Sequence, residues 1–106
     1  MVEVNLKEYG NILQTKTNTG EYVWEQSGDN SYRLVMLKGS IVLEKSYSSV
    51  TGSYYYEISF YGTTSLIYTG MISRTNPLFN QYVQLYNTIV SKNNEKINNE
   101  INNLFM

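Results

Sequence analysis

Apolar positions recur along this chain with two different periods, and the change of period divides it into three stretches. From Gly20 to Arg74 the apolar residues come in short Tyr-, Val- and Ile-rich runs with alternating polarity, the period of a half-buried strand. The runs predict strands over Glu21–Gln26, Tyr32–Leu37, Ile41–Tyr47, Tyr54–Tyr61 and Leu66–Ser73, separated by the breaks SGDN, KG, SSVTG and GTT. Breaks this short close hairpins, whereas a crossover to a parallel neighbour needs about a dozen residues or more. The prediction is an antiparallel meander. Alternation also assigns faces: Tyr54, Tyr56, Ile58 and Phe60 point to the core, and Tyr55, Glu57, Ser59 and Tyr61 to solvent. In the run before it, Ile41, Leu43 and Tyr47 are the core set, opposed by Val42, Glu44 and Ser46. Trp24 and Tyr22 share a strand face and read as core.

On either side the spacing becomes helical. Leu6, Tyr9 and Leu13 recur at three and four, with Asn5 in the N-cap position and Glu8 three residues on, predicting a helix over 5–17. Gly10 weakens that helix, and alternation of Val2, Val4 and Leu6 offers a competing strand. At Asn76-Pro77 a second helix is expected, with Asn as cap and Pro in the first turn. Leu78, Tyr82, Leu85 and Ile89 make one stripe of it; Phe79, Val83, Tyr86 and Val90 make another. Together they form an apolar face wider than a solvent-lying helix carries. The Asn-rich stretch 92–106 has the composition of a disordered segment, yet Ile97, Ile101 and Leu104 keep helical spacing and its charges alternate in sign. The fold class is therefore α+β: a five-stranded antiparallel meander (about 21–73) with a short N-terminal helix and a long C-terminal helical region (about 77–105) packed on one face.

At 106 residues the chain suits a single domain. Composition then removes chemistry. There is no cysteine, so disulfides, thiolate nucleophiles and thiolate metal sites are absent together. Histidine is absent too, which excludes a Ser-His-Asp triad and the commonest metal ligand and general base. No basic and apolar leader opens the chain, no run reaches membrane-spanning length, and none of the 13 asparagines lies in a glycosylation sequon. These features lead us to expect a soluble, cytoplasmic protein.

The net charge is −1, neither the basic surplus of a duplex nucleic-acid binder nor the acidic surplus of a nucleic-acid mimic. The balance runs −3 over residues 1–30, +2 over 31–75 and 0 over 76–106. The middle cations Arg33, Lys38, Lys45 and Arg74 are candidates for a small patch. Carboxylate-only chemistry needs two acids across a cleft. Glu57, flanked by Tyr55, Tyr56 and Ile58, is the one carboxylate in an apolar context, but its parity faces outward. No phosphate-binding loop or EF-hand pattern occurs, and the one aspartate, Asp29, reads as a turn residue. We expect no cofactor, no metal and no catalysis.

What remains is tyrosine, 11 of 106 residues. Enrichment in Tyr, Asn and Ile fits an AT-rich coding genome, and tyrosine forms strands well. Outward aromatics on a sheet also anchor protein partners. The candidate partner-binding residues are Tyr55, Tyr61, Arg33 and Arg74, with Ile97, Ile101 and Phe105 as an apolar stripe suited to a partner groove or to homo-oligomerisation. In type, a short chain without His or Cys and rich in Asn, Ile and Tyr resembles the small proteins of bacteriophages and other mobile elements. Many of those are stoichiometric inhibitors of host or defence machinery, anti-CRISPR proteins among them. The expectation is an inhibitor or adaptor that contacts a larger protein; the rival is a tyrosine-lined module that sequesters a nucleotide or other small molecule.

Overall fold

The computed structural model describes residues 3–106. Helix α1 spans Leu6–Asn18, capped as expected: the Asn5 side chain accepts from the Glu8 amide at 3.1 Å, and its Nδ2 donates to the Glu8 carboxylate at 3.0 Å. Leu6 is helical, which removes the competing strand; that strand's first residue, Val2, lies outside the described residues. Gly10, a weak point in the sequence, marks a close helix contact instead. A Cβ there would lie 2.6 Å from Nε2 of Gln81 and 3.3 Å from the Tyr82 ring. That Nε2 donates to the Lys7 carbonyl (2.8 Å) and to Asn11 Oδ1 (3.0 Å), fastening the N-terminal helix to the C-terminal one.

Five strands follow: β1 (Glu25–Gly28), β2 (Ser31–Met36), β3 (Gly39–Ser48), β4 (Ser53–Tyr61) and β5 (Leu66–Ile72). Each pairs antiparallel with the next, in the spatial order β1-β2-β3-β4-β5. The meander is as expected, and Asp29 lies in the turn between β1 and β2. One strand differs. The expected strand over Glu21–Gln26 begins four residues later, because Glu21–Trp24 is tied back to α1: the Tyr22 amide donates to the Lys16 carbonyl, and Trp24 Nε1 donates to Thr17 Oγ1, both at 3.0 Å. Trp24 is buried by that anchor, not by strand pairing.

Helix α2 spans Phe79–Asn103 and absorbs most of the Asn-rich stretch. It starts two residues after Pro77. Asn76 and Pro77 therefore lie before the helix and not in its first turn: Leu78 holds the cap position without a side-chain hydrogen bond, and Asn76 Oδ1 accepts from the Leu78 amide at 2.8 Å within the preceding turn. Both apolar stripes face inward: Tyr82, Leu85, Tyr86 and Ile89 are buried, and Leu78, Phe79, Val83 and Val90 pack at the margin. Against them lie Tyr32, Leu34, Leu43, Tyr56, Ile58 and Ile72 from one face of the sheet, with Leu13 and Trp24 from the α1 side.

Two residues expected in the core are exposed. Tyr47 and Tyr54 have the right parity, but the β3–β4 hairpin outruns the helices that cover the sheet, and parity cannot say where cover stops. They pack on each other instead, ring centroids 5.2 Å apart, with the Lys45 ammonium 4.6 Å from the Tyr54 ring.

Candidate functional site

Both helices lie on one side of the sheet, so its other face is open. Outward-parity residues occupy it in cross-strand rows: Arg33 beside Val42 beside Ser59 beside Thr69, and Glu44 beside Glu57 beside Met71. At its centre Ser59, expected in solvent, is only 7% exposed despite its outward parity and shares a 3.0 Å hydroxyl hydrogen bond with Thr69. Glu57 faces outward, as its parity required, directly opposite Glu44. Like charges in register across a ladder are unfavourable, and the single ion pair among the described residues, Lys16–Glu21, lies elsewhere. No cluster of three or more metal-ligating side chains occurs among the described residues.

Most of the exposed apolar residues of the open face gather at one end, around the β2–β3 turn and the β4–β5 loop, with Met71 apart from them. The Arg33 guanidinium stands 5.8 Å from the Tyr61 ring, a cation–π contact that holds both side chains in place. Beside them Val35, Met36, Leu37, Leu66 and Ile67 are exposed, Leu37 at 95%. Arg33, Val35, Leu37, Tyr61 and Leu66 line a shallow depression of about 660 Å³ running over Gly39 and Gly62. Around the edge, Met36, Leu37, Ile41, Phe60 and Ile67 line an apolar hollow of about 410 Å³. Exposed apolar surface concentrated in this way marks interaction sites more often than scattered single residues do.

Of the residues singled out from the sequence, the fold brings Arg33 and Tyr61 together and separates the others. Tyr55 shares their face but lies six residues along β4, roughly 20 Å away at strand geometry, opposite Ser46. Arg74 is exposed in the loop after β5, at the Tyr55 end. The four middle cations form no single patch, because Lys45 points to the helix side, over Tyr54 and Tyr86. Ile97 and Ile101 lie on the distal half of α2 and Phe105 just past its end, exposed at 41%, 46% and 85%. Sequence reasoning missed Val35, Met36, Leu37, Leu66 and Ile67. For the first three the available signal was a run of four successive apolar residues, Leu34–Leu37, before Lys38-Gly39, since consecutive strand residues cannot all face one core.

A third hollow, about 360 Å³, lies between the distal half of α2 and the segment before β1. Its lining mixes Trp24 and Val23 with Lys92, Lys96, Asn99 and Glu100, and Tyr22 is its one tyrosine. The tyrosines with perturbed acidity serve the core instead. Burial raises the Tyr56 and Tyr82 hydroxyls and pushes Tyr86 up to about 12, with Tyr32, Tyr56 and Glu44 adding to the last. Tyr82 donates its hydroxyl to the Leu6 carbonyl at 2.7 Å, joining α2 to α1. No helix among the described residues is long and apolar enough to cross a membrane. No protein-family model, curated protein or solved structure matches this chain.

Proposed function

We propose that this protein is a non-catalytic binding module, an inhibitor or adaptor that acts by covering part of a larger protein. The observation that carries the reading is the apolar end of the open sheet face, where Arg33 stacks on Tyr61 amid exposed Val35, Leu37 and Leu66. An aromatic and an arginine, ordered by each other before any partner arrives and ringed by aliphatic side chains, have the composition of a binding hot spot. The near-neutral net charge favours protein over nucleic acid as the partner. In type, this is how small inhibitors encoded by bacteriophages and other mobile elements act on host or defence machinery, and such machinery is the class of target to screen.

The test is affinity capture from lysate of the native host, followed by titration of the captured partner with purified variants. Tyr61→Ala combined with Leu37→Ser removes the centre and rim of the surface at exposed or half-buried positions, so folding survives. Binding weakens by at least ~2 kcal/mol, roughly thirtyfold. Tyr55→Ala alone, at the far end of the face, has a smaller effect. Unchanged affinity in the double variant overturns the reading. So does a folded Glu57→Gln variant that loses all activity, which would indicate carboxylate catalysis. A small molecule carried in stoichiometric amount by the purified chain would favour sequestration over contact.

A further inference from the structure

Helix α2 is longer than the body it covers. It crosses the sheet on a diagonal: Phe79 packs on Tyr56 in β4, Tyr86 lies against both Tyr56 and Tyr32 in β2, and Asn93 reaches the Trp24 carbonyl beside the first residue of β1. Ten further residues, about 15 Å of helix, run on past that sheet edge to Asn103. The apolar stripe does not stop there. Ile97, Ile101 and Leu104 continue the face that carries Phe79, Val83, Tyr86 and Val90, and are left 41%, 46% and 80% exposed.

We infer that a second copy of this chain docks antiparallel along this overhang, pairing Ile97 and Ile101 with the same two residues of the second copy about a two-fold axis near residues 98 and 99, with Leu104 at the margin of the contact. The two isoleucines are self-complementary in that arrangement. Ile97 meets Ile101 of the second copy and Ile101 meets its Ile97, as an isologous contact requires. The charges agree with the same alignment: Lys96 stands beside the second copy's Glu100, and Glu100 beside its Lys96. A parallel copy would set like charge against like. The neighbouring sheet edge argues against a strand as the occupant. β1 is four polar residues, Glu25–Gly28, with Glu25 at its start and an irregularity in its pairing between Gln26 and Gly28, features that guard an edge against addition. Its side chains would set glutamate and glutamine beneath isoleucine, whereas a second helix sets isoleucine on isoleucine. The pairing is independent of the Arg33–Tyr61 surface, and a dimer presents that surface twice.

Sedimentation velocity over about 1–100 µM tests the inference. The expected result is a reversible monomer–dimer equilibrium. Ile97→Lys with Ile101→Lys replaces side chains already half in solvent, so circular dichroism stays native, and loss of two central apolar anchors raises the dissociation constant ~100-fold or more. Lys96→Glu alone weakens the dimer by ~2–5-fold, the range of an exposed ion pair, and Lys96→Glu with Glu100→Lys restores it. A wild-type chain that stays monomeric throughout overturns the proposal and leaves the stripe to a different protein. A dimer indifferent to the double lysine variant, or one that the charge exchange fails to restore, overturns it as well.

Discussion

Leu85→Ala measures whether α2 is held to the sheet by burial. Leu85 is 0% exposed and lies mid-helix in the core cluster with Tyr82 and Ile89. The substitution removes three carbon atoms. At about 0.8 kcal/mol per buried methylene the transfer loss alone is roughly 2.4 kcal/mol. The cavity left between two helices and a sheet raises the total toward ~5 kcal/mol where neighbours cannot relax into it. For a domain this size each kilocalorie lowers the melting temperature by roughly 4–8 °C, so a fall of at least ~10 °C follows. Against a total stability of ~5–15 kcal/mol the variant is near its limit of folding. Leu37→Ala is the matched control, the same change of residue at a side chain 95% exposed, with an effect inside ±0.5 kcal/mol expected. Urea unfolding of both at equal protein concentration, fitted with a common m-value, gives the comparison. A Leu85→Ala cost below ~1 kcal/mol, or equal costs for the two variants, would refute the assignment of the core.

Two other measurements bear on features of the fold. The buried tyrosines make stability sensitive to alkali: Tyr56, Tyr82 and Tyr86 keep their protons in the folded state above the ~10 of an unfolded tyrosine. Their contribution is whole below pH ~10 and is lost as pH rises through the folded-state value of about 12 for Tyr86. Urea midpoints flat from pH 7 to 9 and falling from pH 10 to 12 are expected, and a midpoint flat to pH 12 contradicts burial of these rings. Gly39 has φ +154°, and a Cβ there would strike the Tyr61 carbonyl oxygen. Gly39→Ala therefore destabilises by at least ~1–3 kcal/mol of backbone strain, measurable by thermal melting; a neutral effect would mean that the β2–β3 turn is not held against β4.

The elements that alternation or helical spacing could specify were legible, because those periods are local properties of the chain. The faces of β4 from Tyr56 to Tyr61 and the buried stripes of α2 follow directly from them. Tyr47 and Tyr54 were misplaced because their exposure depends on where two helices distant in sequence happen to end. The start of β1 was misplaced because a tryptophan–threonine bond to α1 outweighed the strand preference of Tyr22 and Val23. The same limit applies to the candidate site. Outward parity identified Arg33 and Tyr61, and only the sheet register brought them together. The exposure of Met36 and Leu37 rests on the absence of any cover over the turn, which no residue near them encodes.

The strictly sequential strand order has a kinetic consequence. Every ladder joins a strand to its immediate successor, so the sheet can assemble hairpin by hairpin with little loop entropy lost at each step. Joining α1 to α2 is different: the bonds from Gln81 to Lys7 and from Tyr82 to Leu6 span more than seventy residues. The ends of the chain therefore meet late, once the meander offers α2 a surface to dock on. Damage at the Gly10 crossing should then appear mainly as faster unfolding, with the rate of folding little changed.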